Sequence, residues 1–135
     1  MNEMNLFSIG LVQSSILSRG QGPLQGDEGA PDAWIELDPA YLEALHGIAP
    51  GDDILLLTWL HKARRDILKV HPRGDLSRPL SGVFATRSPD RPNPIGLHRV
   101  RVLEVAGNKI KVSSLEAIDG TPIVDIKPVL TPGDR

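Results

Sequence analysis

The sequence predicts a mainly β fold, a single small antiparallel β-barrel with one short helix and long loops. Three observations carry this prediction. Apolar residues recur mostly with period two, as in strands that bury one face. A single segment is punctuated as a helix at both ends. The stretch 18–32, with four glycines and two prolines, has neither pattern and is expected as a loop. Many short strands and one short helix in 135 residues fit one antiparallel domain spanning 1–135.

Residues 6–12 (LFSIGLV) are expected as the first strand and 33–37 (AWIEL) as the second. The helix follows at once. Asp38 can cap it, Pro39 takes the first position, Tyr41, Leu42 and Leu45 form an apolar stripe, and Gly47 stops it. Residues 53–60 (DILLLTWL) form a nearly continuous apolar run, as in a strand buried on both faces. Shorter strands are expected at 67–70 (ILKV) and 82–86 (GVFAT), then at 97–105 (LHRVRVLEV) and 110–115 (IKVSSL). The last two are joined by a hairpin turn at 106–109 with Gly107-Asn108 at its tip.

Composition excludes several functions. Without cysteine there is no disulfide framework, thiolate nucleophile or cysteine-bound metal. His46, His61, His71 and His98 are widely spaced and lack helical metal spacing, so no metal site is expected. Neither GxGxxG nor GxxxxGK[ST] is present. The longest apolar run, 54–60, is broken by Thr58 and is far too short to span a bilayer, and no segment reads as a signal peptide. No membrane association and a cytoplasmic location are expected. The net charge of −2 conceals an asymmetry: residues 62–101 carry ten lysines and arginines against three acids, while the remainder carries five against fourteen. Such a basic segment suits a polyanion, or an intramolecular match with the acidic flanks.

Two segments are dense in chemistry. In 82–97 (GVFATRSPDRPNPIGL), Pro89, Pro92 and Pro94 each fix φ and hold the preceding residue extended, giving a stiff arm that carries Arg87, Arg91 and Asn93. In 119–128 (DGTPIVDIKP), Asp119-Gly120 and Thr121-Pro122 read as a turn, with Asp125 and Lys127 two residues apart on one face of an extended piece. From the residues alone, the second segment is a structural turn with a surface ion pair.

Together, GVFATRSPDRPNPIG and LEAIDGTPIVDIKP closely resemble the two diagnostic motifs of the TsaA-like family, the TrmO-type tRNA methyltransferases that use S-adenosyl-L-methionine. The likeness runs from SIGLVQSS at 8–15 to DIKP at 125–128. It implies a β-barrel methyltransferase unlike the Rossmann-type enzymes, acting as a homodimer with its cofactor pocket near the subunit interface. It also implies a tRNA substrate, the threonylcarbamoyl-adenosine beside the anticodon, methylated on its exocyclic nitrogen. The chain would hold the methyltransferase domain without the extra C-terminal domain of longer members.

Carried over by motif, the implied cofactor contacts are Pro23, Leu24 and Gln25, the pair His61 and Lys62, Arg87, Leu97, and the stretch Ser113, Ser114, Leu115 and Glu116. Arg87 suits a carboxylate, Leu97 can pack on the adenine, and Ser113–Glu116 can read it through backbone groups. Asp119, Asp125 or His61 could take the proton that the acceptor nitrogen loses. Arg64, Arg65, Lys69, Arg73 and Arg91 are candidate RNA contacts, with Arg78, Arg99 and Arg101 beside them. Leu24, Lys62, Glu116 and Val129 depart from the usual family residues. They leave open a same-fold methyltransferase acting on another RNA or a small molecule, or a non-catalytic barrel binding cofactor or nucleic acid.

Overall fold

Period-two burial runs through the strands of the computed structural model, which describes residues 1–20 and 29–130. Eight strands occur among these residues: β1 (Gly10–Gln13), β2 (Ala33–Leu37), β3 (Asp53–Trp59), β4 (Lys69–Val70), β5 (Ser81–Gly82), β6 (Ile95–Ala106), β7 (Lys109–Val112) and β8 (Pro122–Pro128). Six close into a barrel in the order β1-β2-β7-β6-β3-β8, while β4 and β5 pair separately. Every pairing is antiparallel.

The alternation read from the sequence sets the inward face. On β3 it buries Ile54, Leu56 and Thr58; on β6 it buries Gly96, His98, Val100 and Val102. With Ile35, Ile110, Leu115 and Ile123 these make the core. Fully burying each such aliphatic side chain contributes about 1.5–3 kcal/mol. β6 serves two neighbours, pairing with β3 as far as Arg101 and with β7 from Val102 onward. The register slips between Val102 and Glu104, an irregularity that lets one strand turn along the barrel wall.

Several elements differ from the sequence expectation. The first strand begins at Gly10, not at residue 6, and Met1–Phe7 lie exposed. The helix forms where its caps put it, Pro39–Leu45, but as a 3-10 helix. Asp38 accepts from the Ala40 N–H at 2.9 Å, and Tyr41 N–H donates to the Asp38 carbonyl, an i to i+3 bond. Seven residues between Pro39 and Gly47, of which only Leu45 is buried, give the α form too little to gain. The strand expected at 82–86 ends at Gly82, and Val83–Ala85 wind into a 3-10 turn. Val83 is buried there, whereas Phe84 is 81% exposed. The extended piece in the second motif is a full barrel strand, β8, held between β3 and β1.

Candidate functional site

A cavity of about 470 Å³ opens at one end of the barrel. Its walls come from distant parts of the chain: the segment after β1 (Ile16 to Gly20), the end of β3 and the turn beyond it (Leu60 to Ala63), the proline arm, the start of β6 (Ile95 to His98), and the segment before β8 (Glu116 to Ile118). The volume lies within the range of small-molecule sites.

Hydrogen bonds, as well as prolines, hold the arm rigid. Arg91 folds back within it, its Nη1 donating to the carbonyls of Thr86 at 3.1 Å and Ser88 at 3.0 Å. Thr86 and Ser88 hydroxyls accept from the backbone N–H groups of Ser88 and Asp90. Arg65, stacked over Trp59 at 5.1 Å from the ring centre, donates to the Pro92 carbonyl and to Asn93 Oδ1. Asp90 accepts from the Arg64 backbone N–H at 2.8 Å and pairs with Arg19 at 3.0 Å, tying the arm to the segment after β1.

That tether is acid-sensitive. Partial burial raises the Asp90 carboxyl, but the bonds from Arg19 and Arg64 outweigh it and leave the group below the ordinary carboxylate value. Because the folded-state value is depressed, the tether is fully present above the unfolded value of about 3.9 and is lost as pH falls through the folded value. Asp90→Asn is expected to cost about 0.5–1.5 kcal/mol at pH 7 and progressively less as pH falls through the folded-state value, as checked by urea unfolding along a descending pH series.

Of the residues singled out in the sequence, the fold gathers His61, Lys62, Arg87, Arg91, Leu97 and Glu116 around the cavity. Among the described residues no hydrogen bond or ion pair engages the Arg87 guanidinium. Burial against the cavity wall, then the neighbouring Lys62 ammonium, hold the His61 imidazole below its ordinary value, so it is neutral at pH 7. Leu97, 44% exposed, lies at the rim.

Others lie elsewhere. Ser113, Ser114 and Leu115 do not line the cavity. Their N–H groups bond to the Arg101 carbonyl, the Asp32 carboxylate and the Pro31 carbonyl, and the Leu115 side chain is in the core. Asp119 is also outside the lining and accepts from the Ser14 N–H at 3.0 Å. Asp125 pairs with Lys127 on β8 at 3.1 Å. Pro23, Leu24 and Gln25 fall outside the described residues. Arg64 pairs with Asp66, and Lys69 and Arg73 are exposed beyond the cavity. Arg99 and Arg101 both meet Asp53, the first residue of β3, at the barrel end opposite the cavity.

Sequence reasoning missed two residues of this region, Thr58 and His98. His98 is 5% exposed and Thr58 fully buried, at the cavity end of the core. His98 Nδ1 lies 2.6 Å from Glu116 Oε1, and its Nε2 lies 2.7 Å from Thr58 Oγ1. The one available signal was a histidine and a threonine on the inward parity of two apolar strands.

Comparison with known proteins places this architecture. A relative from Methanothermobacter thermautotrophicus, named a probable S-adenosyl-L-methionine-binding protein, is 42% identical over 126 residues, covering 93% of this chain and 90% of the relative. One from Archaeoglobus fulgidus, named an S-adenosyl-L-methionine-binding protein, is 44% identical over 124 residues, covering 92% and 88%. The crystal structure of TrmO from Pseudomonas aeruginosa superposes with a TM-score of 0.79 at 29% identity, covering 98% of this chain. The chain spans 59% of the length of that solved chain. Residues 11–135 match the family described as the tRNA-methyltransferase O N-terminal domain. With its barrel, its proline arm and its cavity in the matched region, the chain belongs to the TrmO N-terminal domain family.

Proposed function

We propose that the chain binds S-adenosyl-L-methionine in the cavity and is a methyltransferase acting on the exocyclic nitrogen of threonylcarbamoyl-adenosine beside a tRNA anticodon. The observation that carries the reading is Arg87, a guanidinium unengaged among the described residues, on a rigid arm at the wall of a 470 Å³ cavity. The names of the relatives support the cofactor, and family membership supports the reaction and the tRNA. The residues present fit such a ligand. Arg87 offers a planar fork for a carboxylate, while Leu60, Ile95 and Leu97 offer apolar wall for a ring.

When bound, the cofactor supplies an electrophilic methyl group on a sulfonium centre. The chain has to align acceptor and methyl in line and exclude water, and the stiff arm serves that alignment. His61 is the proton acceptor in this reading: it lines the cavity and is neutral at pH 7, whereas the Asp119 carboxylate is bonded to Ser14 and Asp125 lies outside the lining. Lys69, exposed in the basic middle of the sequence, supports an RNA backbone contact. A homodimer belongs to the same reading; the exposed apolar rim residues Ile95 and Leu97 support a second subunit there.

Calorimetric titration of S-adenosyl-L-methionine tests the cofactor. Wild type should bind, and Arg87→Ala should weaken binding roughly tenfold to hundredfold, the effect of one charge-assisted contact. No binding to wild type overturns the reading. Transfer of labelled methyl to tRNA bearing threonylcarbamoyl-adenosine, with affinity falling as salt rises, tests the acceptor.

A further inference from the structure

The hydrogen bonds around His98 fix its protonation. Thr58 is fully buried, and among the described residues the only acceptor for its hydroxyl proton is His98 Nε2, 2.7 Å away. Leaving that proton unbonded in the core would be costly, so the hydroxyl donates and Nε2 accepts. The ring proton is therefore on Nδ1 and is donated to Glu116 Oε1 at 2.6 Å. A neutral imidazole orients the Glu116 carboxylate without cancelling its charge. Glu116 Oε2 has no partner among the described residues, and the side chain, 16% exposed, lines the cavity.

The charge around the cavity gives this carboxylate its significance. The described lining contains Arg19, Lys62, Arg87 and Arg91 but only one carboxylate, Glu116. With Arg19 paired to Asp90, a cationic centre entering such a cavity is repelled by Lys62, Arg87 and Arg91 and attracted by Glu116. Gly96 leaves room for the bonded pair behind that carboxylate: a Cβ there would lie 2.5 Å from Thr58 Oγ1 and 2.7 Å from His98 Nε2. A buried polar chain that ends in a lone carboxylate is an expensive thing to build into an apolar barrel, so it points to recognition rather than to packing.

We infer that Glu116 is the counter-charge by which the cavity distinguishes the sulfonium cofactor from its neutral thioether product, and that His98 and Thr58 are positioning residues for its carboxylate. The inference rests on the cofactor reading above. It concerns the sulfonium, because the amino acid end, with its ammonium and carboxylate, is common to both molecules. Charge-selective binding also favours exchange: once the methyl has left, the attraction to Glu116 is gone and the thioether is held less tightly.

The test is calorimetric titration of S-adenosyl-L-methionine and S-adenosyl-L-homocysteine into wild type, Glu116→Gln, His98→Leu and His98→Asn, with no acceptor present. Wild type should favour the sulfonium. Glu116→Gln should weaken its binding roughly tenfold to hundredfold, while the thioether changes by no more than about threefold. His98→Leu should erode the same ratio, and His98→Asn, whose amide nitrogen can stand in for Nδ1, should restore part of it. If His98→Leu fails to fold, Glu116→Gln decides alone, since its amide oxygen still accepts from Nδ1. A ratio unchanged in Glu116→Gln, or both ligands weakened equally, overturns the inference. Wild type binding both ligands equally overturns it while the cofactor reading stands; wild type binding neither overturns both.

Discussion

Gly10→Ala should lower stability by about 2–4 kcal/mol, roughly 8–15 °C in Tm. Gly10 is buried in β1 between β2 and β8, opposite Leu37 and Ile123. An added Cβ would collide with the Glu36 carbonyl oxygen and approach the Leu37 Cα and Cδ2 to 2.9 Å. Two of these obstacles are backbone atoms of the neighbouring strand, which no rotamer can move. The strands must separate, and β1 is one side of the seam that closes the barrel. Thermal unfolding followed by circular dichroism measures the effect; a loss under about 0.5 kcal/mol would show that the seam has slack.

Gly96→Ala meets a different obstacle, and its effect should appear in function as well as stability. Its Cβ would lie 2.5 Å from Thr58 Oγ1, 2.7 Å from His98 Nε2 and 3.0 Å from Leu60 Cδ2. These are side-chain atoms, so relief comes by driving Thr58 and His98 apart and breaking their bond. The cost is overpacking plus a buried polar pair left unmatched, together about 2–4 kcal/mol. Displacing His98 also releases Glu116. Ligand affinity in the cavity should therefore fall in Gly96→Ala and persist in the folded fraction of Gly10→Ala. Urea unfolding and calorimetry on both variants separate the two kinds of damage.

Strand order along the chain was legible where apolar alternation was strong. β2 has the expected limits, 33–37, and β3 ends one residue short of the run that predicted it. Legibility failed where local signals were overruled by partners far away. Residues 6–9 alternate like a strand, yet ladder pairing begins only at Gly10. Val83 and Phe84 have strand-forming side chains, but Val83 N–H is taken by the Leu68 carbonyl and the chain turns. The lysine, aspartate and prolines of 119–128 hid a central barrel strand.

The site divides in the same way. The arm was visible as a motif, because rigidity and charge are properties of consecutive residues, while the pair at 61–62 came only with the family resemblance. The Thr58–His98–Glu116 chain joins residues 40 and 18 positions apart, and only register brings them together. Composition indicated that four histidines lack metal spacing; it carried no sign that one would lie in the core between a hydroxyl and a carboxylate.

The barrel closes by its shortest ladder. β1 and β8 share two residue pairs, Gly10 with Ile123 and Leu11 with Pro122, against seven between β3 and β6. The chain segments that continue from this joint on either side, Ile16 to Gly20 and Glu116 to Ile118, are both walls of the cavity. A molecule filling the cavity thus bridges the seam, and the free energy needed to part the ends of the barrel rises with its concentration as RT ln(1 + [L]/Kd). Occupancy and closure become one equilibrium: the same ligand that the barrel holds also laces the barrel shut.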